Sequence, residues 1–305
     1  MAAFLIKRLL WLAVTLWIVF TITFFLMRSV PGGPFDAERR PPPDIERNLK
    51  RRFNFDKPIG VQYLMELGKV VRGDLGVSYK KADFTVNQVV AQGFPVSASL
   101  GIFALTFAVV LGTFAGVISA VRRYSVWDFG LMSAATLGIA VPNFVLASLA
   151  IILLVFDIQL FPAAGWGSLR QMVLPALCLG APFAGYIARL TRTGMMEVLS
   201  RDYIRTAYAK GLSERKVVIR HALRGAILPV VSYLGPATAG ILTGSLVVEK
   251  IFLLPGMGTH FVEAALQRDY TLAMGMVLVY TLLLFTMNTL VDLSYAVIDP
   301  RVKME

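Results

Sequence analysis

The sequence predicts an all-α polytopic membrane protein with six transmembrane helices, a small polar domain on one face and a basic helical loop on the other. Composition is the first observation behind this. Of 305 residues, 56% are hydrophobic and 16% charged, far from the averages of soluble domains. The second is a set of six runs without Asp, Glu, Lys or Arg: Leu9–Met27, Gly93–Val121, Phe129–Phe156, Gln171–Ala188, Gly225–Val248 and Tyr270–Val291. Each has at least 18 residues, and a span needs roughly 20 at about 1.5 Å rise per residue. The third is an uneven distribution of basic residues between the connecting segments.

The first run follows Lys7 and Arg8, as a secretory signal would, but its apolar core has 19 residues against about 7–15 in a cleaved signal. With no small-x-small site after it, it reads as a retained span over residues 1–30. Residues 31–92 open with "PGGPFDAERRPPPD", whose prolines and glycines end the helix. They continue through "IERNLKRRFNF", "VQYLMELGKVV" and "TVNQVVAQGF", which carry mixed helical periodicity. A small outer-face domain of short helices is expected there, packed on the membrane ends of the spans because it is too small to build its own core. Residues 93–300 form a five-helix core containing a loop at 189–224, and residues 301–305 form a tail. Pro142, Pro175, Pro182 and Pro236 fall inside the runs and are expected to kink them.

Orientation follows from the basic residues. With the N-terminus in the cytoplasm, the inner segments carry 15 Lys and Arg, and the two short outer loops carry three. The 12 on the long outer segment do not weigh against this, because segments longer than about 60 residues translocate largely regardless of charge. Both termini are then cytoplasmic.

Several functions are excluded by counting. The net charge of +11 suggests nucleic acid, yet +6 of it lies in the 189–224 loop, where inner-face topology and anionic lipid account for it. One cysteine, Cys178, cannot form an intrachain disulfide, and His221 and His260 lie on opposite faces, so they share no metal. No phosphate-binding G-x-x-x-x-G-K-[ST] occurs; Gly68-Lys69 is followed by Val70. ATP, if it drives the protein, is hydrolysed by another chain. The spans hold almost no ionisable residues, which disfavours an ion-coupled carrier. No nucleophile with a base can be assembled for an intramembrane enzyme.

The stretch "RTAYAKGLSERKVVIRHALRGAILP" carries the strongest signal. From Met196 to Lys210 the apolar residues recur at helical spacing. Gly211 supplies the left-handed residue that ends a helix, and Ser213 is a suitable N-cap for the next. Leu212 and Val217 are placed for a hydrophobic staple. Two amphipathic helices therefore meet at a glycine on the inner face. A DNA-reading helix-turn-helix would have this geometry, but both ends are tied to spans. A helix pair on anionic lipid and a docking element for a cytoplasmic partner remain, and the second explains why a chain without energy-coupling residues keeps a shaped protrusion.

Arg205-Thr206-Ala207, three residues and then Gly211 resemble the E-A-A-x3-G loop of the membrane subunits of ATP-binding-cassette importers, with Arg and Thr replacing the first two motif residues. "IKRLL", "PGGPF", "GDLGVS", "FPVSASLG", "LPALCLG", "VVEKIFLLPGMG" and "YAVIDPR", in that order, are similar to the B-type subunits of oligopeptide permeases. The resemblance implies a type I importer permease fold and a non-catalytic subunit of the bacterial cytoplasmic membrane. It also implies a second homologous permease, two ATPase subunits that bind ATP and magnesium, and an extracytoplasmic peptide-binding protein. No cofactor is expected in this chain. Asp202, Arg205, Thr206, Ala207, Gly211 and Ser213 would couple it to the ATPase. Glu249, Pro255, Gly256 and Gly258 would form an outer gate. Dipeptides, glutathione-like peptides or a nickel complex are alternative cargoes within the same fold, and a secondary carrier is a remoter one.

Overall fold

The computed structural model describes residues 2–30, 43–81 and 83–298. "PGGPF" and the tail 301–305 lie outside them. The described residues form helices joined by turns, with one isolated bridge between Val77 and Thr85. They divide into two compact units, one of the described residues up to 96 with 256–289 and one of residues 97–255 with 290–298.

In the first unit, α1 (Ala2–Ser29) is apolar almost throughout, and its Phe20 and Phe24 are fully buried. They pack with Met274 and Leu278 of α13 (Tyr270–Ile298). The polar segment supplies α2 (Pro43–Arg52) and α3 (Ile59–Val71). Tyr63, Leu67 and Val70 of α3 pack on the same aromatic cluster, so this polar segment shares the core of α1 and α13. Trp17 Nε1 donates to the Tyr63 hydroxyl at 3.0 Å. Arg28 reaches Glu66 at 3.1 Å and stacks over Phe24, 3.6 Å from the ring centre. Burial raises the Glu66 carboxyl above its ordinary value, with Arg28 pulling the other way.

The long helix α4 (Val86–Val121) starts inside the segment expected to be an outer domain. Residues 86–92, expected in the polar segment, are part of this helix, and Pro95 sits within it. Its first turn, with Val86 and Val89, buries against α12 (Met257–Leu266) and Leu272 of α13.

The second unit is built on α7 (Leu169–Leu199), which starts with a full capping box between Ser168 and Gln171. Pro175 and Pro182 lie inside α7 and Pro236 inside α11 (Leu228–Ile251), and both helices run on through them. Pro142 behaves differently from the expected kink. The third run is two helices, α5 (Val126–Ala140) and α6 (Asn143–Ala150), the latter continued by a π-helix at Ile151–Asp157. They are bent by 112°, with Pro142 at the N-cap of α6. Val141 precedes the proline and is extended, as pre-proline sterics favour, so the chain turns there. Among the described residues, four helices are long and apolar enough to cross a membrane, and up to six if each of two bent pairs counts as one span.

Small residues let α4 approach α7 closely. A Cβ on Gly112 would lie 2.6 Å from the Ala184 carbonyl oxygen, and one on Gly116 would lie 2.5 Å from that of Ala188. In lipid such close packing replaces the hydrophobic drive that water supplies elsewhere.

Candidate functional site

The basic loop begins later than its charge suggests, because α7 continues to Leu199 and takes Arg189 and Arg192 into the helix. The helix expected over Met196–Lys210 is broken at Ser200 and Arg201, and the short helix α8 spans Asp202–Ala209. Arg201 adopts an extended conformation, so the apolar periodicity changes direction without changing spacing. Gly211 follows with φ +76°, the left-handed geometry expected of it.

Beyond it come α9 (Glu214–Lys216), a π-helix at Val217–Ala222 and α10 (Leu223–Ala226). This helical stretch meets α11 at a 55° bend, so the second helix does not flow straight into the span. Pro229 explains the turn, since it stands in the first turn of α11. Ser213 has N-cap backbone geometry, but its side chain makes no capping hydrogen bond. Leu212 packs on the cluster containing Val217, as a staple requires.

A dedicated core holds the element. Met195, Ile204, Ala207, Val217, Val218, Ala222 and Ala226 are buried together with Ala120 of α4. Ala207 therefore faces inward and serves packing. Asp202, Arg205, Thr206, Gly211 and Ser213 face outward. Asp202 and Arg205 approach to 3.7 Å with side chains 97% and 77% exposed, a pair of little energetic weight. No atom lies within 4 Å of where a Gly211 side chain would begin. The site is thus a knob with a buried apolar base and an open, polar crown around a left-handed glycine.

At the other end of α11, Glu249 is fully buried in the last helical turn. Pro255 closes one unit and Gly256 opens the other as N-cap of α12. Gly256, Met257 and Gly258 are buried, and a Cβ on Gly93 would come within 2.9 Å of the Met257 nitrogen. Nearby, buried Asp269 accepts hydrogen bonds from the Ser78 hydroxyl and from the amides of Tyr79 (3.1 Å), Lys80 (3.3 Å) and Leu272 (3.1 Å). One carboxylate thereby ties the turn at residues 78–80 to the start of α13. Burial pushes the Tyr79 phenol well above its usual value.

Sequence reasoning missed Asp269 and a second anchored carboxylate, Asp128. Ser125 caps α5 by accepting from the Asp128 amide, while Asp128 takes bonds from Ser119, the Tyr124 amide and Arg192. The Ser-x-x-Asp spacing at the head of a span was the available signal.

Residues 90–304 match the family described as "Binding-protein-dependent transport system inner membrane component", and residues 1–101 match its N-terminal companion. The chain belongs to this family. Like other binding-protein-dependent transport membrane components, it shares the type I permease fold. A crystal structure described as an amino acid ABC transporter with histidines aligns at TM-score 0.53 and 16% identity, over 68% of this chain and 93% of that one. Relatives of this binding-protein-dependent transport component match end to end. A dipeptide transport system permease protein of Bacillus subtilis is 47% identical, covering 100% of this chain and 99% of the relative. Oligopeptide transport system permease proteins of Haemophilus influenzae and Escherichia coli are each 44% identical, covering 99% of this chain and all of theirs.

Proposed function

We propose that this chain forms half of the translocation pathway of an ATP-driven importer that carries oligopeptides across the bacterial cytoplasmic membrane. A second homologous permease supplies the other half. Two ATPase subunits hydrolyse ATP with magnesium, and an extracytoplasmic binding protein delivers the peptide. Both termini are cytoplasmic.

The observation that carries this reading is the knob at Gly211. Its inward face is a buried apolar cluster shared by α4, α7, α8 and the helical stretch through α10, and its outward face is polar and open. A push on it acts directly on α4 and α7 and, through α10, on the start of α11. Closure of the ATPases moves the knob, the spans switch from inward-open to outward-open, and hydrolysis returns them. Residues 256–258, at the head of α12, act at the outer mouth, where Gly93 allows α12 to sit against α4. The chain itself performs no covalent chemistry.

Gentle detergent extraction with quantitative mass spectrometry of what stays bound tests the assembly. The expected result is a stoichiometric second permease and a pair of ATPases. A chain that emerges alone and still drives uptake overturns the reading. A dipeptide cargo is the second reading, favoured by the 47% identity to the Bacillus subtilis relative. Competition between labelled di- and pentapeptides for uptake separates the two.

A further inference from the structure

Helix α2 carries Arg47, Lys50, Arg51 and Arg52 close together, the last three in its final turn. All four are exposed, and Arg47, Arg51 and Arg52 form no ion pair among the described residues. One cation there satisfies the negative end of the helix dipole, whereas Arg47 and Arg51, one turn apart, repel each other and weaken the helix. Asp44 and Glu46 offset only two of the four positive charges. The inward bias of basic residues in membrane chains does not account for the rest, because the proposed topology puts residues 31–92 on the other side.

The end of α2 opens on a cavity of about 180 Å³, whose lining includes Arg52, Phe53, Glu66, Lys69, Asp74 and Tyr79. Its acids are engaged already. Glu66 holds Arg28 at 3.1 Å, and Asp74 accepts from the Gly76 amide at 2.9 Å. Its cations are not: Arg52 and Lys69 form no ion pair among the described residues, and Arg52 stands 5.7 Å from the Phe53 ring centre. The space suits one entering side chain, and the free charge it meets is positive. Among its described residues α2 exposes no large apolar side chain to sink between lipid chains, which favours a soluble partner over a membrane. We propose that α2 and this cavity form a docking surface for an acidic face of a soluble extracytoplasmic protein, one carboxylate side chain of which enters the cavity against Arg52 and Lys69. The proposal rests on the importer reading for its side of the membrane and takes the partner to be the binding protein that delivers peptide.

The test places the chain, with the subunits that co-purify, in nanodiscs on a biosensor and adds the purified binding protein of the proposed importer, with hexaglutamate or hexalysine as competitor. Association is expected to slow about tenfold from about 0.05 to about 0.5 M NaCl, and hexaglutamate but not hexalysine should compete. Arg47→Glu with Arg51→Glu should slow association about tenfold and leave dissociation nearly unchanged, while Arg47→Lys with Arg51→Lys should keep wild-type rates. Arg52→Gln with Lys69→Gln should instead speed dissociation about fivefold. Salt-independent association, or wild-type rates for the double glutamate variant in protein that melts as wild type does, overturns the proposal. Unchanged dissociation in the Arg52→Gln, Lys69→Gln protein overturns the role of the cavity. A double glutamate variant that keeps its rates with the binding protein but loses phosphatidylglycerol vesicles overturns the proposal in favour of a membrane contact. Wild-type protein that binds hexaglutamate through α2 but not the binding protein supports the acidic-partner surface while failing the importer reading.

Discussion

Arg192 of α7 grips Asp128 of α5 through two parallel bonds, Nε to Oδ1 at 2.8 Å and Nη2 to Oδ2 at 2.9 Å. The carboxylate also takes the Ser119 hydroxyl of α4 and the Tyr124 amide, so one ion fastens three helices at the same membrane face. Removing the arginine leaves a buried carboxylate half-satisfied. Arg192→Ala is expected to destabilise this unit by about 2–3 kcal/mol, and Asp128→Asn by less, since the amide keeps part of the network. Thermal unfolding in detergent, with the double variant completing the cycle, measures the coupling. Additive losses would mean that the pair contributes nothing specific.

Gly211 separates strain from docking. Ala at this position pays about 1 kcal/mol for a positive φ, while Asn tolerates it. Neither substitution meets a neighbour within the chain. Gly211→Asp is expected to leave the permease inserted but uncouple ATP hydrolysis from uptake. The ratio of peptide imported to ATP consumed, in reconstituted vesicles, is the readout. Normal coupling in Gly211→Asp would remove the docking role.

Gly116 has no room for a side chain. Gly116→Val would drive its Cβ into the Ala188 carbonyl and the Thr191 side chain, and separating the two helices is expected to cost about 1–3 kcal/mol or more. Reduced accumulation of intact protein in membranes checks this. Gly130→Ala, with nothing within 4 Å, is the matched control.

Asp269→Ala should free the turn at residues 78–81, which the proposed topology puts outside the cell. Four donors lose their acceptor at once, at an expected cost of about 2–4 kcal/mol. Trypsin added to spheroplasts should then cut at Lys80 or Lys81 several-fold faster than in wild type. An unchanged rate would place the anchor elsewhere.

Much of the knob was legible beforehand. Gly211 and the Leu212–Val217 contact follow from local rules, because a left-handed residue and a staple need only neighbours in sequence. The break at Ser200 and Arg201 was not, since Leu199, Ile204 and Ala207 keep a helical spacing on both sides of it. Only the cluster with Ala120 and Val217 makes the turn profitable, and those residues are distant in sequence. Pro142 shows the same limit. A proline in an apolar run reads as a kink, whereas the 112° turn depends on what each half packs against.

By itself the sequence determined what the bilayer demands: runs of apolar residues, a basic bias between them, and almost no ionisable residue within the runs. Those are properties of residues taken singly, and lipid acts on each of them as a solvent. Tertiary structure alone decided which charges meet. Asp128 and Arg192 are 64 residues apart, and Ser78 and Asp269 are 191 apart. Each pair is selected by the burial that surrounds it, because a carboxylate withdrawn from water must find its donors wherever the packing of helices has brought them.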